Sequence, residues 1–193
     1  MKPASETLAP EKDLIQAALR GDKRAYGDLA AQHWDGVVRV VYRMCGDPLL
    51  AEDAAQEAFI RAWQRLPSYK PQHAFRAWVY RIAVNAALDV LRSRRPAGSL
   101  DDLDGEQMPA AGNGLNQNPE TLLDRRERAE RVQRAVMALT PANRTVLVLR
   151  EWGQLSYAEI SDALSIPMGT VMSRLNAGRG QLRQSLAGMM EEQ

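Results

Sequence analysis

Apolar residues recur at spacings of three and four along most of the chain, and nowhere do they alternate with polar residues over a strand-length stretch. That period predicts helices and no sheet. Upstream it predicts helices over roughly 11–20, 23–45, 49–65 and 73–94, and downstream over roughly 120–138, 141–151, 156–164 and 169–187. Between them the run Arg92-Ser-Arg-Arg-Pro-Ala-Gly98 ends the periodicity, and the stretch that follows is rich in Gly, Asn, Asp and Pro. Such composition makes a linker. The expected fold is all-α: a helical domain over 1–95, a flexible linker over 96–120, and a helix-turn-helix domain over 121–193.

The tail carries the sharpest local punctuation. Thr140 stands where an N-cap belongs, with Pro141 at the first helical position. Ser156 and Glu159 make an S-x-x-E capping box that opens a short helix from Tyr157 to Leu164, and Ile166-Pro167-Met168-Gly169 forbids that helix from continuing. Thr170 is then expected to cap a last helix, with Val171, Leu175 and Leu182 near one face and Ser173, Arg174, Asn176 and Arg179 off it. A short helix, a turn and a polar-faced last helix is the arrangement that enters a DNA major groove.

Two helices of the head separate into faces. Between Leu49 and Leu66, Ala55, Phe59, Ala62, Trp63 and Leu66 form a core stripe. Opposite lie Glu52, Asp53, Gln56 and Glu57, where Asp53 and Glu57 at i,i+4 repel with no basic side chain expected to offset them. This face is either solvated or a docking surface for an Arg-rich partner. Between Ala74 and Arg95 the stripe is Phe75, Val79, Ile82, Ala86 and Val90. Arg76, Trp78, Tyr80, Arg81, Asn85 and Arg92 lie around it, and aromatics interleaved with cations suit single-stranded nucleic acid as well as a core.

Composition narrows the function. The 193 residues are 45% hydrophobic and 6% aromatic, with a formal net charge of +1 that hides an uneven distribution. Lys and Arg against Asp and Glu number 14 to 10 over residues 11–95, 0 to 5 over 96–120 and 10 to 8 over 121–193. An acidic linker therefore joins two mildly basic domains. Met1 to Pro10 lack a basic and an apolar segment, and no apolar run approaches the ~18 residues of a membrane span, so a cytoplasmic chain without membrane insertion is expected. The single cysteine, Cys45, forms no internal disulfide, and Cys45, His33 and His73 lack metal-ligand spacing. With no glycine-rich phosphate loop and no nucleophile–His–acid set, neither a catalytic residue nor a cofactor is expected. The residues alone leave open a stand-alone helix-turn-helix regulator and a helical adaptor that binds protein only.

The run Ala51-Glu-Asp-Ala-Ala-Gln-Glu-Ala-Phe-Ile-Arg-Ala-Trp63, then Ala74-Phe-Arg-Ala-Trp-Val-Tyr-Arg-Ile-Ala-Val-Asn85, then the acidic linker, Leu139-Thr-Pro, Leu155-Ser-Tyr-Ala-Glu-Ile and Pro167-Met-Gly-Thr-Val-Met-Ser-Arg174 together resemble the extracytoplasmic-function (group 4) sigma factors of bacterial RNA polymerase, nearest the envelope-stress type. The likeness covers about residues 11–187 and several motifs in order.

The resemblance implies a factor that binds core polymerase through its β′ clamp and β subunits, directs it to promoter DNA and helps melt the −10 region. It also implies regulation by an anti-sigma factor. Asp53, Gln56 and Glu57 would dock on the clamp. Ser68, Tyr69, Lys70, Gln72 and His73 would capture a flipped −10 base, with Arg76, Trp78, Tyr80, Arg81 and Asn85 along the adjoining strand. The −35 element would fall to Thr170, Met172, Ser173, Arg174, Asn176, Ala177 and Arg179, with Ser156 and Tyr157 on phosphate through backbone N–H and hydroxyl groups. Family members often carry a basic residue where Met172 stands, an aromatic or His at Asn176 and Arg at Ala177, so this last helix offers fewer cationic contacts. The family's linker runs through the polymerase cleft, which the anionic 96–120 segment would suit.

Overall fold

A computed structural model describes residues 9–93 and 119–191. Eight α-helices account for most of these residues: α1 (Glu11–Leu19), α2 (Lys23–Cys45), α3 (Pro48–Arg65), α4 (Phe75–Ser93), α5 (Pro119–Met137), α6 (Pro141–Glu151), α7 (Tyr157–Leu164) and α8 (Met168–Glu191). A single 3₁₀ turn, Leu66–Ser68, follows α3. Residues 96–118 of the expected linker lie outside the described residues, and 119 and 120 already belong to α5.

Local chemistry places the helix ends. The Asp22 carboxylate accepts from the backbone N–H of Arg24 and Ala25 to start α2, and that helix stops at Gly46, whose φ of 78° favours a residue without Cβ. Asp47 caps α3 ahead of Pro48. Thr140 caps α6 ahead of Pro141, and both halves of the Ser156–Glu159 capping box are present. One expected start is corrected. The last helix begins at Met168 rather than after a Thr170 cap: the Thr170 N–H already bonds the Pro167 carbonyl, placing Thr170 inside the first turn.

Helix α4 is the centre of the first half. Phe75, Ala77, Trp78, Val79, Tyr80, Ile82, Ala83, Val84, Ala86 and Ala87 are all buried, because α2, α3 and α7 cover it on different sides. A helix apolar nearly all round belongs inside. What remains exposed is a ridge at spacing four, Arg81, Asn85 and Asp89. Helix α3 lays Ala51, Ala54, Ala55, Ala58 and Ala62 on this framework, small residues that let the backbones approach. In the second half α6 buries Val146, Leu147, Val148 and Leu149 against α8 and α7.

The two halves share one hydrophobic core. Helix α2 touches α5 and α6, and α4 touches α7. The Arg144 guanidinium donates to the carbonyl of Met44 at the end of α2 (2.9 Å) and to those of Met137 and Leu139 at the end of α5. Helix C-termini leave carbonyls without intrahelical donors, and a cation there is favoured by the macrodipole as well. Gln133 donates to the Tyr42 carbonyl and accepts from Arg43, whose guanidinium also lies 4.9 Å from the Trp152 ring centre.

Candidate functional site

On α3 the residues Glu52, Asp53, Gln56 and Glu57 are exposed along one face. The expectation that no cation answers this face is corrected: Arg61, one turn beyond, pairs with Glu57 at 2.6 Å and reaches Asp89 at 3.4 Å. Asp53 and Gln56 keep the open part of the face. Beside them is an apolar groove formed by Ala30, Ala31, Trp34, Phe59 and Ile60. Ile60 is 54% exposed and Leu49 is 64% exposed, so the acidic face is bordered by uncovered hydrocarbon. Acidic and apolar surface thus lie side by side along this edge of α3.

The 3₁₀ turn leads into the loop Ser68 to His73. Tyr69 closes it from within: its hydroxyl donates to the His73 carbonyl (2.6 Å), and its ring packs 5.6 Å from Phe75 and 5.1 Å from Trp78. Tyr69 is 6% exposed, Trp78 9% and Tyr80 4%. These aromatics therefore frame the loop instead of offering open stacking surfaces, and the aromatic part of the expected strand-holding set sits in the core. Ser68, Lys70, Gln72 and His73 are the exposed members, and Arg81 and Asn85 extend them along α4. His33 of α2 supports the loop from behind, 5.4 Å from Phe75 and 3.7 Å from the Glu11 carboxylate. Burial pushes its pKa below the usual value, more than Glu11 raises it.

Across from this loop stands α7. A cleft of about 880 Å³ separates the two, lined by Lys70, His73, Trp78 and Arg81 on one side and by Glu159 and Asp162 on the other. His73 lies 3.6 Å from the Asp162 carboxylate, and Arg76 donates to the Gln154 carbonyl. Tyr80, buried on another side of α4, packs against Gly153. A Cβ on Gly153 would stand 2.6 Å from the Leu149 carbonyl oxygen and 3.1 Å from the Tyr80 ring, so the turn between α6 and α7 admits no side chain there.

The helix-turn-helix is α6, α7 and α8, with the chain reversing at Ser165 in the left-handed region (φ 53°). Along α8 Met172, Ser173, Asn176 and Ala177 are exposed beside the buried Val171 and Leu175, Arg179 is exposed at the edge nearest α6, and Thr170 and Arg174 are half-buried. Arg179 is held by Glu151 at 2.7 Å. Ser156 differs from its expected part. Its backbone N–H donates to the Glu159 carboxylate at 2.7 Å, so that N–H is spent within the capping box. Partial burial pushes the Glu159 carboxyl up, but two hydrogen bonds with Ser156 and the charge of Arg76 outweigh it and hold the group below its usual range. Tyr157 lies with its ring 5.2 Å from the Arg150 guanidinium.

Arg43, Gln133, Arg144 and Gly153, which tie the halves together, were not singled out by the sequence pattern. Their partners lie up to 100 residues away in the chain. Only Gly153, in a Trp-Gly-Gln turn, left a local sign.

The fold and its exposed faces define a two-part, all-helical DNA-binding factor with a helix-turn-helix tail. Comparison with known proteins makes the class specific. Sigma-70 region 2 matches residues 29–96 and Sigma-70 region 4 matches residues 129–182. The chain is 35% identical to the ECF RNA polymerase sigma factor SigW of Bacillus subtilis, over 91% of this chain and 96% of that one. Against the sigma-H factor of Pseudomonas aeruginosa it is 33% identical over 96% and 98% of the two chains, and against the sigma-E factor of Escherichia coli K12 36% over 91% and 93%. The same fold is seen in CnrH, solved with the cytosolic domain of CnrY (TM-score 0.70, 24% identity, 92% of this chain and 97% of that one). It recurs in RpoE of Bartonella quintana, solved with the anti-sigma factor NepR (TM-score 0.63, 17% identity, 91% and 96%). The chain belongs to the extracytoplasmic-function sigma factors of RNA polymerase. Among the described residues no helix is long and apolar enough to cross a membrane.

Proposed function

We propose that this sigma factor docks on core polymerase through Asp53, Gln56 and Glu57 with the apolar groove beside them, holds a −10 strand with the 68–73 loop, and reads the −35 duplex with α8. Three exposed faces on one buried framework support this division of labour. The observation that carries it is α4: a helix buried nearly all round whose exposed residues form one ridge, Arg81, Asn85 and the Arg61-paired Asp89, with Arg81 lining the same cleft as Lys70, Gln72 and His73. Such a ridge fits a backbone-tracking strand. Tyr69 and Trp78 act in this reading by shaping the loop, and Tyr80 by supporting α4. Arg76 and Arg179 reach DNA after leaving Gln154 and Glu151, and Ser156 and Tyr157 meet phosphate through hydroxyl groups and the free N–H groups of the first turn of α7. The first domain ends at about 95, and the second begins with α5 at Pro119 rather than at 121. The protein acts in the cytoplasm, by binding rather than by covalent chemistry, and an anti-sigma factor restrains it.

The test is copurification with core polymerase followed by run-off transcription. Asp53→Arg with Glu57→Gln is expected to lower core binding at least tenfold with helicity unchanged, as charge reversal at an interface costs several kcal/mol. Normal competition by this variant for core enzyme would refute the docking assignment. Tight sequence-specific duplex binding by the isolated chain, without transcription from core enzyme, would instead favour a stand-alone regulator.

A further inference from the structure

The first two turns of α8 hold two thioethers in solvent. Met168 and Met172 are each 48% exposed, along the edge of the side on which the helix buries Val171 and Leu175. Four residues apart, they stand one above the other, about 6 Å apart along the axis. Asn176, also exposed, continues the line by one more turn. Cations are scarce here. Arg174 is half-buried on another side of the helix, and the exposed Arg179 and Arg183 come about two and three turns after Met172. The opening of the helix that follows the turn thus offers hydrocarbon, sulfur and an amide, at the end which enters a groove first.

Groove chemistry says what such a line can read. In the major groove an A·T pair presents the thymine 5-methyl group and the N7 acceptor and N6 donor of adenine. Apolar side chains cover the methyl, and an Asn amide bonds the adenine edge. A G·C pair presents no methyl, and the guanine edge is read best by a free guanidinium or ammonium, which this line lacks. Both side-chain chemistries on this line therefore select the same kind of pair. Resting on the assignment of α8 to the −35 duplex, we infer that Met168 and Met172 are specificity-determining residues that cover thymine 5-methyl groups, with Asn176 on an adenine, so that this factor selects A·T pairs opposite the start of α8. Along the groove, 6 Å spans between one and two base steps of ~3.4 Å, so the two methionines meet thymines one or two positions apart.

The experiment uses holoenzyme assembled from the full chain and core polymerase. Promoter duplexes with a short randomised −35 segment are selected by binding, and in the selected sequences each thymine of that segment is replaced singly by deoxyuridine, which removes only the methyl group. Loss of one buried methyl is expected to weaken binding roughly threefold to fivefold at one or two positions. Met168→Ala with Met172→Ala should abolish that thymine-over-deoxyuridine ratio, while Met172→Leu, which keeps an apolar cover, should retain most of it. Both methionines are exposed, so the alanine variant keeps its core, and its unchanged affinity for core polymerase verifies this. Selected promoters whose affinity is indifferent to every deoxyuridine overturn the inference and leave the −35 assignment standing, as does a ratio that persists in the double-alanine variant. Holoenzyme that selects no −35 sequence at all overturns the assignment of α8, and the inference with it.

Discussion

Arg144 gathers three backbone carbonyls from two helix ends, and its removal strands acceptors of which those of Met44 and Leu139 lie in buried bonds. Arg144→Ala is expected to cost about 3 kcal/mol or more of stability in urea denaturation, and Arg144→Lys part of that, because an ammonium cannot reproduce the planar fork. His33 behaves oppositely to a partner-stabilised histidine. Its pKa is lowered by burial, so near pH 6 the unfolded chain binds more protons than the folded one. Its contribution is complete above its ordinary value of about 6.5 and is lost as pH falls toward the folded value. Melting temperature should therefore drop as pH falls below about 6.5, and His33→Gln should flatten that part of the curve. At the loop, Tyr69→Ala would remove a hydrogen bond and two ring contacts that hold the loop closed, so it tests folding of the loop. Lys70→Ala with His73→Ala tests the strand instead. Permanganate footprinting should show impaired melting by that variant while gel-shift promoter engagement largely survives; equal melting by variant and wild type would remove the loop from the mechanism.

Helix starts encoded by neighbouring residues are legible in the amino-acid sequence itself. Thr140 with Pro141 and the Ser156–Glu159 box each act within three positions, the range over which a sequence can be read directly, and the Asp22 and Asp47 caps, which the pattern does not single out, act over the same range. Ser156→Ala should accordingly cost about 1 kcal/mol, measured by thermal or urea unfolding. The start of α8 is harder to place because Pro167, which precedes it, has no side-chain acceptor to announce a cap, whereas Thr170 offers one it does not use. The acidic face of α3 is legible as a face, but its charge balance is not: the Glu57 partner, Arg61, lies on the same helix, while the second acid that shares it, Asp89, comes from α4. The burial of Tyr69, Trp78 and Tyr80 is not decidable from periodicity, since α4 is covered on three sides and its period alone does not show how many neighbours it has.

At the level of the whole chain, the seam between the halves is beyond sequence reading because Arg43–Gln133 and Arg144–Met44 are paired across 90 and 100 residues. It places α7 opposite the 68–73 loop across a cleft of about 880 Å³, room for a base or two and not for the duplex around them. Isolated chain should therefore bind promoter fragments weakly and with a shallow salt dependence, and Gly153→Ala, which forces a Cβ against the Leu149 carbonyl and Tyr80, should loosen the seam. Small-angle scattering would register that as an increased radius of gyration; an unchanged radius and unchanged fragment binding would mean the seam is not what limits access. The seam also bears on rivalry inside a cell. If polymerase accepts only chains with the halves apart, every 1.4 kcal/mol that holds them together reduces the apparent affinity for core enzyme about tenfold. Contacts such as Arg144 on the Met44 carbonyl would then set this factor's rank among all those competing for one limited pool of polymerase.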